Sequence, residues 1–176
     1  MEKLNKSILL ALLVVCLASC TEKRGKDCDI YLPKGFSKNY IIIFYNQKDG
    51  VPKEINKVGK RVYRIPTSGV LFSQFEQQLD VSFKEEVYFL DKNNRLTLIK
   101  DYYYSKYHGE GTDENKVYTF SGFFSDKEGF GYSCDFRFVG KVDEIIEKDG
   151  LIKPLANTQH IVDSIVHARG WVETQQ

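Results

Sequence analysis

Neither sign of charge dominates this chain of 176 residues: 25 Lys and Arg stand against 24 Asp and Glu, a formal net charge of +1. A surface without basic excess has no electrostatic grip on nucleic acid. The absence of an acidic run removes the signature of a calcium-loaded surface. Methionine occurs once, against 11 tyrosines and 12 phenylalanines, a balance that favours strands over helices. There is no Gly-x-Ser-x-Gly elbow, Walker loop or dinucleotide fingerprint, and no internal repeat or low-complexity tract. An apolar run of about 20 residues, the length that crosses a hydrocarbon layer as a helix, is missing too.

The apolar run that does occur lies at the start. Lys3 and Lys6 form a basic head, and Ile8 to Ala18 is an unbroken stretch of 11 apolar and small residues. That is the length of a signal-peptide core. It ends in Leu17-Ala18-Ser19-Cys20, which resembles the lipobox of bacterial lipoproteins. The resemblance implies that residues 1–19 are a signal peptide, that the Cys20 thiol receives diacylglycerol, and that cleavage makes Cys20 the new N-terminus. Two or three acyl chains, at about 0.8 kcal/mol per buried CH₂, hold a protein on a membrane. Thr21 stands where enteric lipoproteins kept in the inner membrane carry Asp, so the outer membrane is the expected address. Residues 21–27 are polar and read as a tether with a reach of about 25 Å. The signal takes two lysines and one glutamate with it, leaving a neutral mature chain. Residues 28–176 fit one β-rich domain.

Cys16 leaves with the signal and Cys20 is acylated. Cys28 and Cys134 then remain as a candidate disulfide in an oxidising compartment, with two buried thiols as the alternative. Closing a loop of that length stabilises by up to about 4.7 kcal/mol in the chain-entropy account. Two cysteines so far apart are poor zinc ligands.

Strands are read at Asp29–Leu32, Tyr40–Tyr45, Arg61–Ile65, Val70–Phe72, Val87–Leu90, Leu96–Ile99 and Val117–Phe124. Tyr40–Tyr45 is apolar throughout, which predicts cover on both faces. Asp91 to Arg95 reads as a hairpin loop. The clearest alternation places Tyr132, Cys134, Phe136 and Phe138 on one side of a strand and Ser133, Asp135 and Arg137 on the other, the pattern of a half-buried strand. A helix capped by Asn157 or Thr158 is expected to run to Ala168 and stop at Gly170. The whole predicts a β-sandwich of roughly eight strands with one C-terminal helix. A small β-barrel is the alternative.

Tyr31-Leu32-Pro33-Lys34-Gly35-Phe36, Ile41-Ile42-Ile43, Gly50, Pro52, Tyr63-Arg64-Ile65-Pro66 and Gly69-Val70-Leu71 together form a pattern. It resembles an uncharacterised family of bacterial envelope proteins, many of them lipoproteins, named only as a domain of unknown function. The likeness covers residues 31–71. A second glycine expected two residues after the aromatic is Lys38 here. The strand-turn-strand around Pro66 is also similar to transthyretin-like sandwich modules. The family implies an envelope lipoprotein and assigns no chemistry. The motif glycines and prolines are scaffold residues.

Three groups of side chains are candidate sites. His108, Glu110, Asp113 and Glu114 share a Gly-rich loop without the residue order of an EF-hand, and read as a solvated turn. His160, Asp163 and His167 share one helix face. The two histidines stand about 10.5 Å apart along the axis, unlike the spacing of a zincin. Tyr102, Tyr103, Tyr104 and Tyr107, with Tyr118, Tyr132 and Trp171, are a candidate aromatic binding face, against the plainer role of core and cross-strand pairs. No catalytic residue, metal or cofactor is expected. The reading is a membrane-anchored, non-catalytic binding or structural module, whose partners are the membrane and an envelope protein or glycan. An immunity- or inhibitor-type lipoprotein and an envelope hydrolase with a dispersed site are the alternatives.

Overall fold

The computed structural model describes residues 23–107, 111–127, 132–147, 152–153 and 155–171. Cys20, the signal segment and the loop around His108 lie outside the described residues. Among the described residues nine strands build two sheets: β1 (Cys28–Pro33), β2 (Tyr40–Phe44), β3 (Glu54–Ile55), β4 (Arg61–Arg64), β5 (Val70–Phe72), β6 (Glu85–Leu90), β7 (Leu96–Ile99), β8 (Tyr118–Lys127) and β9 (Tyr132–Gly140). Their order is β3-β4-β1-β6-β7 in sheet 1 and β5-β2-β9-β8 in sheet 2. Both sheets are mixed. β1 runs parallel to β4 and β6, and β2 runs parallel to β5 but antiparallel to β9. Neither closes on itself, so the expected sandwich is what forms and the barrel is not.

Parallel neighbours need crossovers, because a tight turn can only reverse direction. The chain supplies them by alternating between sheets: β1, then β2, then β3 and β4, then β5, then β6 and β7, then β8 and β9. Between the sheets lies a core of Ile30 and Leu32 from β1, Ile41 and Ile43 from β2, Tyr63, Leu71, Val87, Ile99 and Val139. The other face of sheet 2 is also covered. There Ile42, Phe44, Tyr132, Cys134 and Phe136 meet Val162 and Val166 of α3 (Leu155–Ala168). A third cluster joins Tyr118, Phe120 and Phe138 to Ile145, the buried residue of α2 (Val142–Ile145). Sheet 2 is therefore the middle layer of three, which explains why β2 is apolar on both sides. Fully burying each such side chain contributes about 1.5–3 kcal/mol.

The hairpin Asp91–Arg95 forms as read, with Asp91 N–H donating to the Arg95 carbonyl at 3.1 Å. Helix α3 begins at Leu155, earlier than the expected cap, and Thr158 is a buried residue inside it. It stops where Gly170 takes φ 67. Beyond it Trp171 stacks on Tyr132 at 5.8 Å and tilts on Phe44 at 5.6 Å. Arg169 lies 3.9 Å over the Phe72 ring and bonds Asp49 at 2.8 Å. These contacts fasten the helix end to sheet 2.

Candidate binding cleft

The alternation of β9 has a different meaning in the fold. Ser133, Asp135 and Arg137 do not face solvent. They face sheet 1, because sheet 2 is the middle layer. Asp135 is 4% exposed. The Arg137 side chain is 13% exposed, as is that of Glu85 at the start of β6, and the two form an ion pair across the sandwich. Arg137 Nη2 also lies 3.5 Å from Asp135 Oδ2. The expected half-buried strand is thus a strand buried on both sides, with a charged cluster between the sheets.

Burial governs the electrostatics of this cluster. It pushes the Asp135 carboxyl up to about 7, against a smaller opposing effect of the Phe136 backbone N–H. Burial also pulls Arg137 below its ordinary value. The neighbouring Cys28 thiol is pushed up to about 11 by burial, and the Tyr45 phenol well above its ordinary range. Arg137 is therefore the cation of a pocket whose thiol and phenol are neutral, and Glu85 is its close counter-ion.

On one side the sheets part. The β7 end is tied to β8 where Thr119 N–H donates to the Lys100 carbonyl at 2.9 Å. Next to this tie opens a cleft of about 660 Å³. Val87, Ile99, Thr119 and Arg137 line its depth, and Lys84, Glu86, Lys100 and Asp101 its rim. Ser105, from α1 (Tyr102–Tyr107), is 1% exposed and also lines it. A second cleft of about 630 Å³ shares Leu98, Ile99 and Lys100 and continues past Phe89 and Thr97 to Val117 and Tyr118. Leu96 and Leu98 of the β7 edge are 48% and 49% exposed. Among the described residues, Arg137 Nε and Ser105 Oγ are buried with no hydrogen-bond partner. Buried polar atoms are paired with few exceptions, so these two mark the place where another group can be accepted.

The residues singled out in the sequence fall elsewhere. Cys28 and Cys134 are free thiols. They stand as the alternative of two buried thiols: Cys28 packs between the sheets, while Cys134 packs on the opposite face of sheet 2, under α3. The body of the sheet separates them. Tyr102 and Tyr103 are half-buried, and their rings pack on Phe120 at 5.1 and 6.4 Å. Tyr118 and Tyr132 are buried. The turn of α1 folds Tyr102 and Tyr103 onto β8, while Tyr132 packs under Trp171 on the other part of sheet 2, so these four serve in the core. The side chains of Tyr104 and Tyr107 lie outside the described part. His160, Asp163 and His167 lie on the exposed side of α3. Among the described residues no group of three His, Cys, Asp or Glu is placed to hold a metal ion. Sequence reading missed the Glu85, Asp135 and Arg137 cluster. A signal for it existed: a strand pairing with the wholly apolar β2 sits in a covered sheet, so its polar side had nowhere to go but inward.

Residues 25–134 match a family model described as a family of unknown function, DUF6843. No curated protein matches the chain. Among solved structures the fold is similar to that of a protein described as "Putative Lipoprotein from Bacillus anthracis", with a TM-score of 0.52, 12% identity, and coverage of 80% of this chain and 94% of that one.

Proposed function

The chain belongs to the DUF6843 family of proteins of unknown function, and from that premise we propose that it is a lipid-anchored, non-catalytic binding module of the bacterial cell envelope that takes its ligand in the cleft between β7 and β8. The observation that carries the binding role is the cleft itself. It has the volume of a small-ligand site, apolar walls from Val87 and Ile99, and unsatisfied polar atoms on Arg137 and Ser105. The anchor is supported by the basic head, the 11-residue apolar core and Leu17-Ala18-Ser19-Cys20. The description of the Bacillus anthracis protein of like fold as a lipoprotein agrees with it. Thr21, in place of Asp, favours the outer membrane.

The test is affinity capture from membranes with the intact lipoprotein, run beside Leu98→Arg and Lys84→Glu variants at the cleft rim. A ligand recovered by the wild type and lost with both variants supports the cleft. Equal recovery by all three removes it. Mass spectrometry of the N-terminal peptide decides the anchor separately, through the presence or absence of acyl chains on Cys20.

A further inference from the structure

The segment read as a tether is, from Lys23 onward, part of the sandwich. The Lys23 carbonyl accepts from Ser82 N–H at 3.1 Å, and Gly25 N–H donates to the Ser82 carbonyl at 2.9 Å. Arg24 and Ser82 form a parallel bridge, so the segment prolongs sheet 1. Gln78 clamps the next residue from two sides. Lys26 N–H donates to its Oε1 at 2.6 Å, and its Nε2 donates to the Lys26 carbonyl at 2.8 Å. Asp27 Oδ1 accepts from Lys84 N–H at 3.0 Å. The approach is close: a Cβ added to Gly25 would lie 2.7 Å from both Gln78 and Val81.

We propose, resting on the lipid-anchor reading above, that the surface carrying Lys23, Arg24, Lys26, Leu79 and Lys84 lies on the anionic phospholipid headgroups of the membrane that holds Cys20. The length of chain outside the described structure is the first argument. From Cys20 to Lys23 is three residues, which span about 10 Å at full extension. Since Lys23 is bonded to Ser82, the lipidated cysteine cannot carry the domain farther away or let it turn freely. This end of the sandwich must face the bilayer. Charge complementarity is the second. Lys23, Arg24, Lys26 and Lys84 are all exposed. Of the acids nearby, Asp27 is engaged by Lys84 N–H and lies 3.7 Å from Arg24, Glu86 lies 2.9 Å from the Lys84 ammonium, and Glu76 is engaged by Lys53, so Lys23 and Lys26 carry most of the patch's positive charge, with Asp80 as a further exposed acid on it. Leu79, 48% exposed, supplies an apolar contact between the cations. Basic residues at the surface of an anionic leaflet are attracted to it, and the attraction falls off within a Debye length. Lys84 belongs both to this surface and to the rim of the cleft, so the mouth of the cleft opens beside the membrane.

The test uses the full lipidated chain in phosphatidylcholine vesicles with and without phosphatidylglycerol, each holding a headgroup-linked nitroxide quencher. A fluorophore is attached through Leu79→Cys or, at the far end of β1, through Lys34→Cys. In the anionic vesicles the Leu79 label is expected to be quenched several-fold more than the Lys34 label. Charge reversal at Lys23, Arg24 and Lys26 together should reduce that difference. Equal quenching of the two labels, with the acyl chains confirmed by mass, overturns the docked surface alone. A chain without acyl groups that also fails to stay on the vesicles overturns the anchor reading and the docked surface with it.

Discussion

A single buried carboxyl gives this fold a pH dependence of its own. Asp135 has an ordinary value of 3.8 when solvated and about 7 in the folded protein, because burial penalises its charge. Between those values the native state holds a proton that the unfolded chain has released. Each rise in pH across that range therefore favours unfolding. Glu86 works in the opposite sense: Lys60 and then Lys84 hold it down at about 2 from 4.5, so the stability it adds is lost as pH falls from 4.5 towards 2, which meets the Asp135 range only at its acid end. The expected outcome is a urea midpoint that declines from about pH 4 to about pH 7 in the wild type and is flatter in Asp135→Asn. Parallel profiles for the two proteins would remove Asp135 as the cause. The two thiols give a second prediction at this scale. Cys28 is 1% exposed and Cys134 is fully buried, and burial raises Cys134 to about 12. Thiolate is the reactive form. Maleimide should therefore label neither in the native protein and both after denaturation, with or without reductant. Labelling that requires reductant after denaturation would instead reveal a bridge.

At the scale of elements, the glycines of the stretch from Gly50 to Leu71 set how β2 and β5 approach each other in parallel. Gly69 takes φ 82, and a Cβ there would lie 2.9 Å from the Tyr40 carbonyl oxygen. Gly50 passes 2.7 Å, on the same measure, from the Phe72 carbonyl oxygen. Gly69→Ala should cost at least about 1 kcal/mol, the penalty for an L-residue in the left-handed region, read as a drop in denaturation midpoint. Phe44→Ala should cost more, about 3–5 kcal/mol, since its fully buried ring stacks on Phe72 at 5.2 Å and holds Trp171. Most strands were legible from sequence because each is an apolar or alternating run between turn residues, as at Val70–Phe72 and Leu96–Ile99. The parallel pairings were not legible, since strand order depends on which crossover each linker makes. The short helix Tyr102–Tyr107 was missed because three consecutive tyrosines carry a strand preference that packing on Phe120 overrides. The charged cluster was missed for a related reason. Alternation on β9 gives two faces but does not say that both are covered.

For the whole molecule, the three-layer arrangement sets a gradient of stability. β2 and β9 lie inside sheet 2, flanked by β5 and β8 and covered by sheet 1 on one face and α3 on the other. Sheet 1 has its outer face in water, where Lys60 bonds Asp29 at 2.9 Å and Glu86 at 2.5 Å. Its margins are the two-residue β3 and the exposed β7. Regions with few buried contacts open locally at lower free energy than the core. Amide hydrogen exchange should accordingly be slowest at Ile42, Ile43, Cys134 and Phe136, and fastest among the strands at Glu54, Leu96 and Leu98. The exposed β7 edge also borders both clefts. A ligand held there must reduce exchange at Leu98, which lines both clefts, while leaving the already slow amides of β2 unchanged. Protection that appeared instead at β3, on the opposite margin of sheet 1, would move the binding site away from the parted side of the sandwich.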